Sequence, residues 1–422
     1  MGILGIFCIL VFCYFISNNK KNINYRTVIV GLLLQFVLAF FILKTTAGQV
    51  IFKSLGNGIQ KILTFAADGG NFVFGFLTDR PQKLTEILGP GADFIFALTL
   101  IPVLIFVMVL VNVLYYYGIM QRIILFCGKG MYKLMNITGA EAISNIASAF
   151  IGQVEAQMLI QPHLKKMSLS QLLASMTGSL ACISGSIMAV YIGMGIPAEY
   201  LLAASFMAAP GALVISKIVY PETEKINPSE EISLHTHTGG INLIDSIATG
   251  ASTGLKVALN IIAMIIGLIA LIALFDYCLG LLGSFLVETI HCPQAIGPLN
   301  IKELSLSGIL GVLFSGIALL LGVPINEIFT VGSLMGEKLV FNEFIAYLNL
   351  TNLSVPLSDK GMIIASFALC GFANFGSIAM QIGGIGELEP SRRQDLAKLC
   401  YKALLCGTLT SYVSAAIAGL LL

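Results

Sequence analysis

Eight predominantly apolar runs recur along the chain, at 2–17, 27–43, 93–117, 170–193, 201–218, 254–284, 361–383 and 398–421. A helix needs about 20 apolar residues to cross a bilayer, and these runs are near that length. Charge agrees with this reading: 11% of the 422 residues are charged and 57% are hydrophobic, where a soluble domain carries about 25% charge. So few charges cannot cover a water-facing surface. That excludes a soluble enzyme, a nucleic-acid binder and a disordered scaffold as readings of the whole chain. A net charge of +1 offers no field to a polyanion. The chain has no tryptophan, so any interfacial aromatic belt must come from Tyr and Phe. The expected fold class is an all-α integral membrane protein with eight transmembrane helices.

The first run lacks a basic leading region and a small-residue cleavage site, so it reads as a retained helix rather than a signal segment. Residues 47–66 interleave Lys53 and Lys61 with Ile51, Phe52, Leu55, Ile59 and Leu63, the spacing of an interfacial amphipathic helix. Cysteines are odd in number and form no C-x-x-C pair; all but Cys292 sit in apolar runs. They read as small buried hydrophobes, not as disulfides or a zinc site. No His-Glu-x-x-His, Gly-x-Ser-x-Gly or Ser–His pairing suggests an intramembrane enzyme.

Two further apolar stretches do not read as plain spans. One covers about 140–163 and carries Gly152, Gln153, Glu155 and Pro162. The other covers about 307–348 and is broken by Gly322 and Pro324, with Glu327, Glu337, Lys338, Asn342 and Glu343 following. Polar groups at membrane depth are tolerated only against protein or a watery cavity. Two re-entrant helical hairpins account for both stretches, with expected tips at Gly152–Glu155 and Gly322–Glu327. Each hairpin precedes a span interrupted by small polar residues: Gly178 to Ser186 after the first, Gly371 to Ser377 after the second. One such cluster would mean close packing through small residues. Two in matching positions predict inverted repeats with broken helices and a transport site between them, rather than an open channel.

The expected divisions are 1–118 (first spans, interfacial helix and part of a scaffold), 119–218 (first hairpin, broken helix and the next span), 219–253 (a cytoplasmic loop) and 254–422 (scaffold helix, second hairpin, second broken helix and last span). Lys20, Lys21, Arg26, Arg122, Lys129, Lys133, Lys165, Lys166, Arg392, Arg393 and Lys398 all fall on one side of this topology. The positive-inside rule makes that side cytoplasmic, in a plasma or bacterial inner membrane, with both termini outside. The loop with Glu222, Glu224, Glu230 and Glu231 then lies inside, and residues 284–306 lie outside. His163, His235, His237 and His291 sit at span ends or in loops and read as solvated rather than as ligands.

The stretches GQVEAQMLIQPHL, MTGSLACISGS, ASFMAAPGALVISKIVYPETEK, GVPINEIFTVGSLMGEKLVFNEFIAY and SFALCGFANFGSIAM resemble, in this order, the concentrative nucleoside transporter family. The length is similar to the bacterial branch. The resemblance implies a homotrimer with a scaffold and a mobile part. It implies nucleoside uptake coupled to a cation gradient by an elevator-like movement, with membrane lipid as surroundings and no nucleic acid or cofactor.

The resemblance also assigns residues. It implies that Gln153 and Glu155 contact the nucleobase, which suits groups that can match an imide or amidine edge. Val154 stands where the family usually has a polar residue. Asn374 and Ser377 are implied to bind ribose hydroxyls and Phe372 to pack on the ligand, while Ile187 and Val257 match apolar walls. Ser333 replaces a Glu that sodium-coupled members often carry at the ribose. Ser148 and Cys182 replace the Asn and Ser of the family's sodium site, which the carbonyls of Ile151 and Ile183 would complete. Sulfur is a poor ligand for a hard cation. The chain therefore holds no metal or only a weak sodium site, and the coupling ion reads as H+, with Na+ the alternative. Glu155 and Glu343 are the candidate proton carriers. Gly152, Gly322, Pro324 and Asn342 are expected to shape the hairpins; Asn342 and Glu343 either organise the second hairpin or serve coupling. The substrate is a nucleoside or, given Val154 and Ser333, a modified one.

Overall fold

The computed structural model describes residues 1–75, 77, 95–224 and 240–421. Its only regular strands are the short antiparallel pair β1 (Ala295–Ile296) and β2 (Leu299–Asn300), so among the described residues the fold is helical. The expected spans appear as α1 (Gly2–Phe15), α2 (Tyr25–Lys44), α4 (Phe96–Tyr116), α11 (Ala198–Val219) and α18 (Arg393–Leu420). The amphipathic stretch becomes α3 (Thr46–Phe74), longer than expected, and its Phe52 ring meets Phe206 of α11 edge-on at 6.0 Å. A second amphipathic helix, α5 (Ile119–Met135), links α4 to the first hairpin.

The span expected at 254–284 is part of α12 (Leu243–Glu288), 46 residues or roughly 69 Å at the helical rise. The loop assigned to 219–253 therefore ends eleven residues early. Asn242 caps the helix by accepting from Asp245 N at 2.9 Å, and polar residues carry it beyond the apolar segment. Glu230, Glu231, His235 and His237 lie outside the described residues. α12 packs along α4, and the rest of the chain gathers around α11 and α18.

The first hairpin folds as expected. Its outgoing arm is α6 (Gly139–Ile151), begun by a capping box in which Glu141 accepts from Thr138 N at 2.9 Å. Its returning arm is two short turns, α7 (Glu155–Met158) and α8 (Gln161–Leu164). The span expected at 170–193 follows as α9 (Leu169–Ala181) and α10 (Gly185–Gly193), separated by Cys182–Ser184.

The second hairpin is displaced from the expected position. The turn at Gly322–Glu327 joins α13 (Leu306–Leu321) to α14 (Ile328–Val340), but it lies at the end of the bundle. There Gly322 adjoins Gly2, and Glu327 accepts from Ser358 N and Oγ at 2.8 and 3.0 Å. Gly322 and Pro324 therefore shape a peripheral turn, not the re-entrant tip. The tip that matches the first is Phe341–Asn342, between α14 and α15 (Glu343–Thr351). Like α6, α14 has 13 residues. The broken span follows as α16 (Asp359–Leu369) and α17 (Phe375–Leu388).

The basic segments converge at the opposite end. Arg392 donates to the carbonyls of Leu164, Lys165 and Met167 at 3.1, 3.2 and 2.6 Å. Asn18 donates to Val219 O at 3.0 Å and accepts from Lys402 Nζ at 2.5 Å. Glu389, at this end, has its carboxyl held below the usual range, chiefly by the Ser391 hydroxyl. Lys217 is buried here between Glu141 at 2.5 Å and Glu222 at 3.5 Å, and also donates to Ser170 Oγ at 3.0 Å. A polar cavity of about 350 Å³ opens beside it, between Asn22, Asn24, Thr27 and Asn136.

Candidate functional site

The two broken helices cross at their unwound segments. α9 stops at Ala181 because Cys182 turns extended (φ −97°, ψ 161°), and α10 restarts under a Ser184 cap. α16 stops at Leu369, and α17 restarts under an Asn374 cap, whose Oδ1 accepts from Ser377 N at 2.8 Å. Between these, Phe372 N donates to Cys182 O at 3.3 Å, tying one break to the other. Gly371 makes the approach possible: it has φ +125°, and a Cβ there would lie 2.6 Å from Ala181 O.

Each hairpin tip meets both broken helices, its own and that of the other repeat. In the first tip, Gly152 (φ +113°) turns the chain against Ser184. Gln153 then reaches α17, its Nε2 lying 3.9 Å from Met380 Sδ, while Val154 packs on Gly384. The Gln153 Oε1 is buried without a hydrogen-bond partner. A buried amide oxygen in that state invites a donor from a ligand. Glu155 is exposed, and its carboxylate lies against Gly152 at the tip.

In the second tip, Asn342 caps α15 by accepting from Ile345 N at 2.9 Å. Glu343 is buried and accepts from Tyr191 OH of α10 and from Asn374 Nδ2 of the second break, each at 3.0 Å. The Tyr191 ring packs on Tyr347 at 4.5 Å, and Tyr347 OH donates to Ser366 O at 2.7 Å. The Asn342 amide also approaches Met264 Sδ of α12 at 3.8 Å, and Val257 lies two turns earlier on that helix. Phe372 and Ile187 are half-buried beside the breaks, whereas Asn374 and Ser377 are buried.

The structure thus gathers Gln153, Val154, Glu343, Phe372, Asn374 and Ser377 around the two breaks and tips. It directs Ser333 elsewhere: the hydroxyl donates to Ser307 O of α13 at 2.9 Å and lies 3.4 Å from Glu337. Glu337 also accepts from Ser307 Oγ at 2.6 Å and Asn349 Nδ2 at 2.8 Å. The Ser148 hydroxyl donates to Ser144 O at 2.7 Å and meets Ser179 Oγ at 3.0 Å. Ser179 accepts from Gln157, which accepts from Ser175. The Cys182 thiol points to Ser205 O at 4.0 Å, and its carbonyl is engaged by Phe372. Ser148 and Cys182 therefore do not converge as oxygen ligands, although Ile151 and Ile183 flank the place where Gly152 meets Ser184. Among the described residues no cluster of three His, Cys, Asp or Glu side chains could hold a metal.

Sequence reading gave no role to Tyr191, Lys217 or Lys338. Tyr191 looked like one aromatic in an apolar run, with no local signal. The two lysines did leave a signal, since a basic residue inside an apolar segment needs a partner.

Residues 200–419 match the family described as Na+ dependent nucleoside transporter C-terminus, residues 4–77 its N-terminus, and residues 97–198 a nucleoside-recognition gate. An uncharacterized transporter of Bacillus subtilis, YutK, is 42% identical over 99% of this chain and 98% of its own. The nucleoside permease NupC of Helicobacter pylori is 37% identical over 99% and 97%. Sodium/nucleoside cotransporter 1 of Mus musculus is 35% identical over 99% of this chain and 63% of its own. Among solved structures, CNTnw in an inward-facing substrate-bound state is 38% identical and superposes with a TM-score of 0.90, covering 100% of this chain and 98% of that one.

Proposed function

Because the chain belongs to the concentrative, Na+-dependent nucleoside transporter family, we propose that it imports nucleosides by proton symport. The chain is a cation-coupled membrane nucleoside transporter and not an enzyme. The observation that carries this proposal is the meeting of both hairpin tips with both breaks. It leaves the Gln153 Oε1 unpartnered at the first tip, and Asn374 and Ser377 stand at the start of α17, the helix that Gln153 reaches. Gln153 and Glu155 bind the base, and Asn374 and Ser377 bind the ribose. Phe372, Ile187 and Val257 form apolar walls. Val154 seals the first tip against α17, and Ser333 makes no direct contact with the ligand.

Proton coupling is supported by the poor oxygen set around Ser148 and Cys182. Glu155 is the better carrier of the two carboxylates. It is exposed at a tip, whereas both Glu343 oxygens are occupied by Tyr191 and Asn374, which suits an organising role. The protein works as a homotrimer in a bacterial inner membrane, with the basic end cytoplasmic and both termini outside, and the hairpins and broken helices move together as an elevator. Sodium coupling, or import of a modified nucleoside, is the second reading; Val154, an apolar side chain at the first tip, favours the latter.

Proteoliposomes test this by crossing a nucleoside panel with separate sodium and proton gradients. Saturable uptake of uridine or adenosine is expected, driven by an inward proton gradient and showing trans-stimulation. Uptake that needs sodium and ignores a protonophore would overturn proton coupling. No saturable uptake of any nucleoside under either gradient would overturn the substrate assignment.

A further inference from the structure

Lys338 is buried to 1% exposure on α14, among the apolar residues that lead to the second tip. No carboxylate of the described residues forms an ion pair with it. Its ammonium instead lies 2.8 Å from Ala368 O, 3.5 Å from Cys370 O and 3.3 Å from Ser411 Oγ. Ala368 is in the last turn of α16 and Cys370 is its C-cap, where the helix is cut and its last carbonyls lose their amide partners; Cys370 O accepts from the Ser411 hydroxyl at 2.7 Å instead. A helix C-terminus is the negative end of its dipole, so an unwound end at this depth calls for a cation.

The first repeat lacks such a group. α6 and α14 are equally long and end at Ile151 and Val340. Two residues back from those ends stand Ala149 and Lys338. Ala149 packs with Ala181, Cys182, Ala208 and Ala212, so methyl groups occupy the place where the second repeat has an ammonium. The two breaks are built alike, but only one carries its own positive charge.

We propose that Lys338 is a tethered cation. It holds the second break open by binding Ala368 O at the cut end of α16 and approaching Cys370 O, which also accepts from Ser411 Oγ at 2.7 Å, and it leaves the first break as the one that responds to a mobile coupling cation. Lys338 is thus a positioning residue, acting on ligand only through the Cys370–Asn374 segment. The inference rests on the transport reading for its uptake measurement but not for its melting measurement, which uses no nucleoside.

The test uses the full-length protein with Lys338→Met, which keeps the bulk, and Lys338→Ala, which opens space for a small amine. Lys338→Met should reduce reconstituted uptake by about tenfold or more, the scale set by leaving the buried Ala368 carbonyl unpartnered. Ethylammonium should raise the melting temperature of Lys338→Ala in detergent and restore part of its uptake, with no effect on the parent protein. A packing role would not respond to an added amine. Parental uptake by Lys338→Met overturns the proposal, and so does a Lys338→Ala protein indifferent to ethylammonium. Should Lys338→Ala resist purification, uptake by Lys338→Met decides: loss supports the tethered cation and parental activity overturns it. Ethylammonium-dependent melting together with no nucleoside uptake by the parent would leave the tethered cation standing and sink the substrate reading instead.

Discussion

The side chain of Asn374 does two jobs at once: its Oδ1 caps α17 at Ser377 N, 2.8 Å away, and its Nδ2 donates to Glu343 Oε2 at 3.0 Å. One amide therefore holds the start of the second broken helix and the tip of the hairpin that precedes it in a fixed relation. Asn374→Ala removes both bonds and leaves Glu343 with Tyr191 as its side-chain donor. Uptake should fall by about tenfold or more, because a buried acceptor loses its partner. Asn374→Asp keeps the cap but sets two carboxylates face to face, and it should be at least as damaging. Initial uptake rates normalised to protein in the liposome check this; an Asp variant close to the parent would contradict the geometry.

Glu155 sits at the first tip, exposed, with its carboxylate against Gly152. Glu155→Gln keeps the shape and cannot carry a proton. Gradient-driven accumulation of uridine and adenosine should be abolished. Near-normal accumulation in that variant would remove Glu155 from the site.

The crossing of the two breaks depends on Gly371. A methyl group there would press on Ala181 O, and φ +125° is unfavourable for any other residue. Gly371→Ala should cost about 1–3 kcal/mol and lower the melting temperature in detergent. A control substitution at exposed Gly267, where an added Cβ meets nothing within 4 Å, should change it far less.

At the basic end, Lys217 and Glu141 pair at 2.5 Å with side chains 6% and 0% exposed. Breaking a buried pair by removing one partner costs about 3–5 kcal/mol, whereas replacing both can be nearly neutral. Lys217→Met and Glu141→Gln should each destabilise the protein more than the double variant does. A double-mutant cycle on thermal unfolding measures this, and additive losses would show that the two do not act as a pair.

Much of this architecture was legible in residue order. Apolar runs predicted the spans, and the Gly- and Ser-rich interruptions predicted both breaks, because a span with no other partner for its backbone shows where its ladder opens. Residue order points to the wrong turn for the second hairpin, and the reason is local. Gly322 and Pro324 are strong turn formers, whereas Phe341-Asn342 carries no turn signal except a helix cap. Nothing in the neighbouring residues says that the weaker signal is the one that reaches the interior.

The sequence by itself determined a helical membrane protein with two broken helices, its family and most of the polar residues near the breaks, because hydrophobicity, capping and backbone freedom act over a few residues. The tertiary structure alone decided which groups meet. It joined Glu343 to Tyr191 across 152 positions and Gln153 to Met380 across 227, turned Ser333 back to Ser307, and set Lys338 on the carbonyls of α16. Those pairings come from two repeats packing tip against break, and each buried polar group then takes the partner that this packing brings within reach.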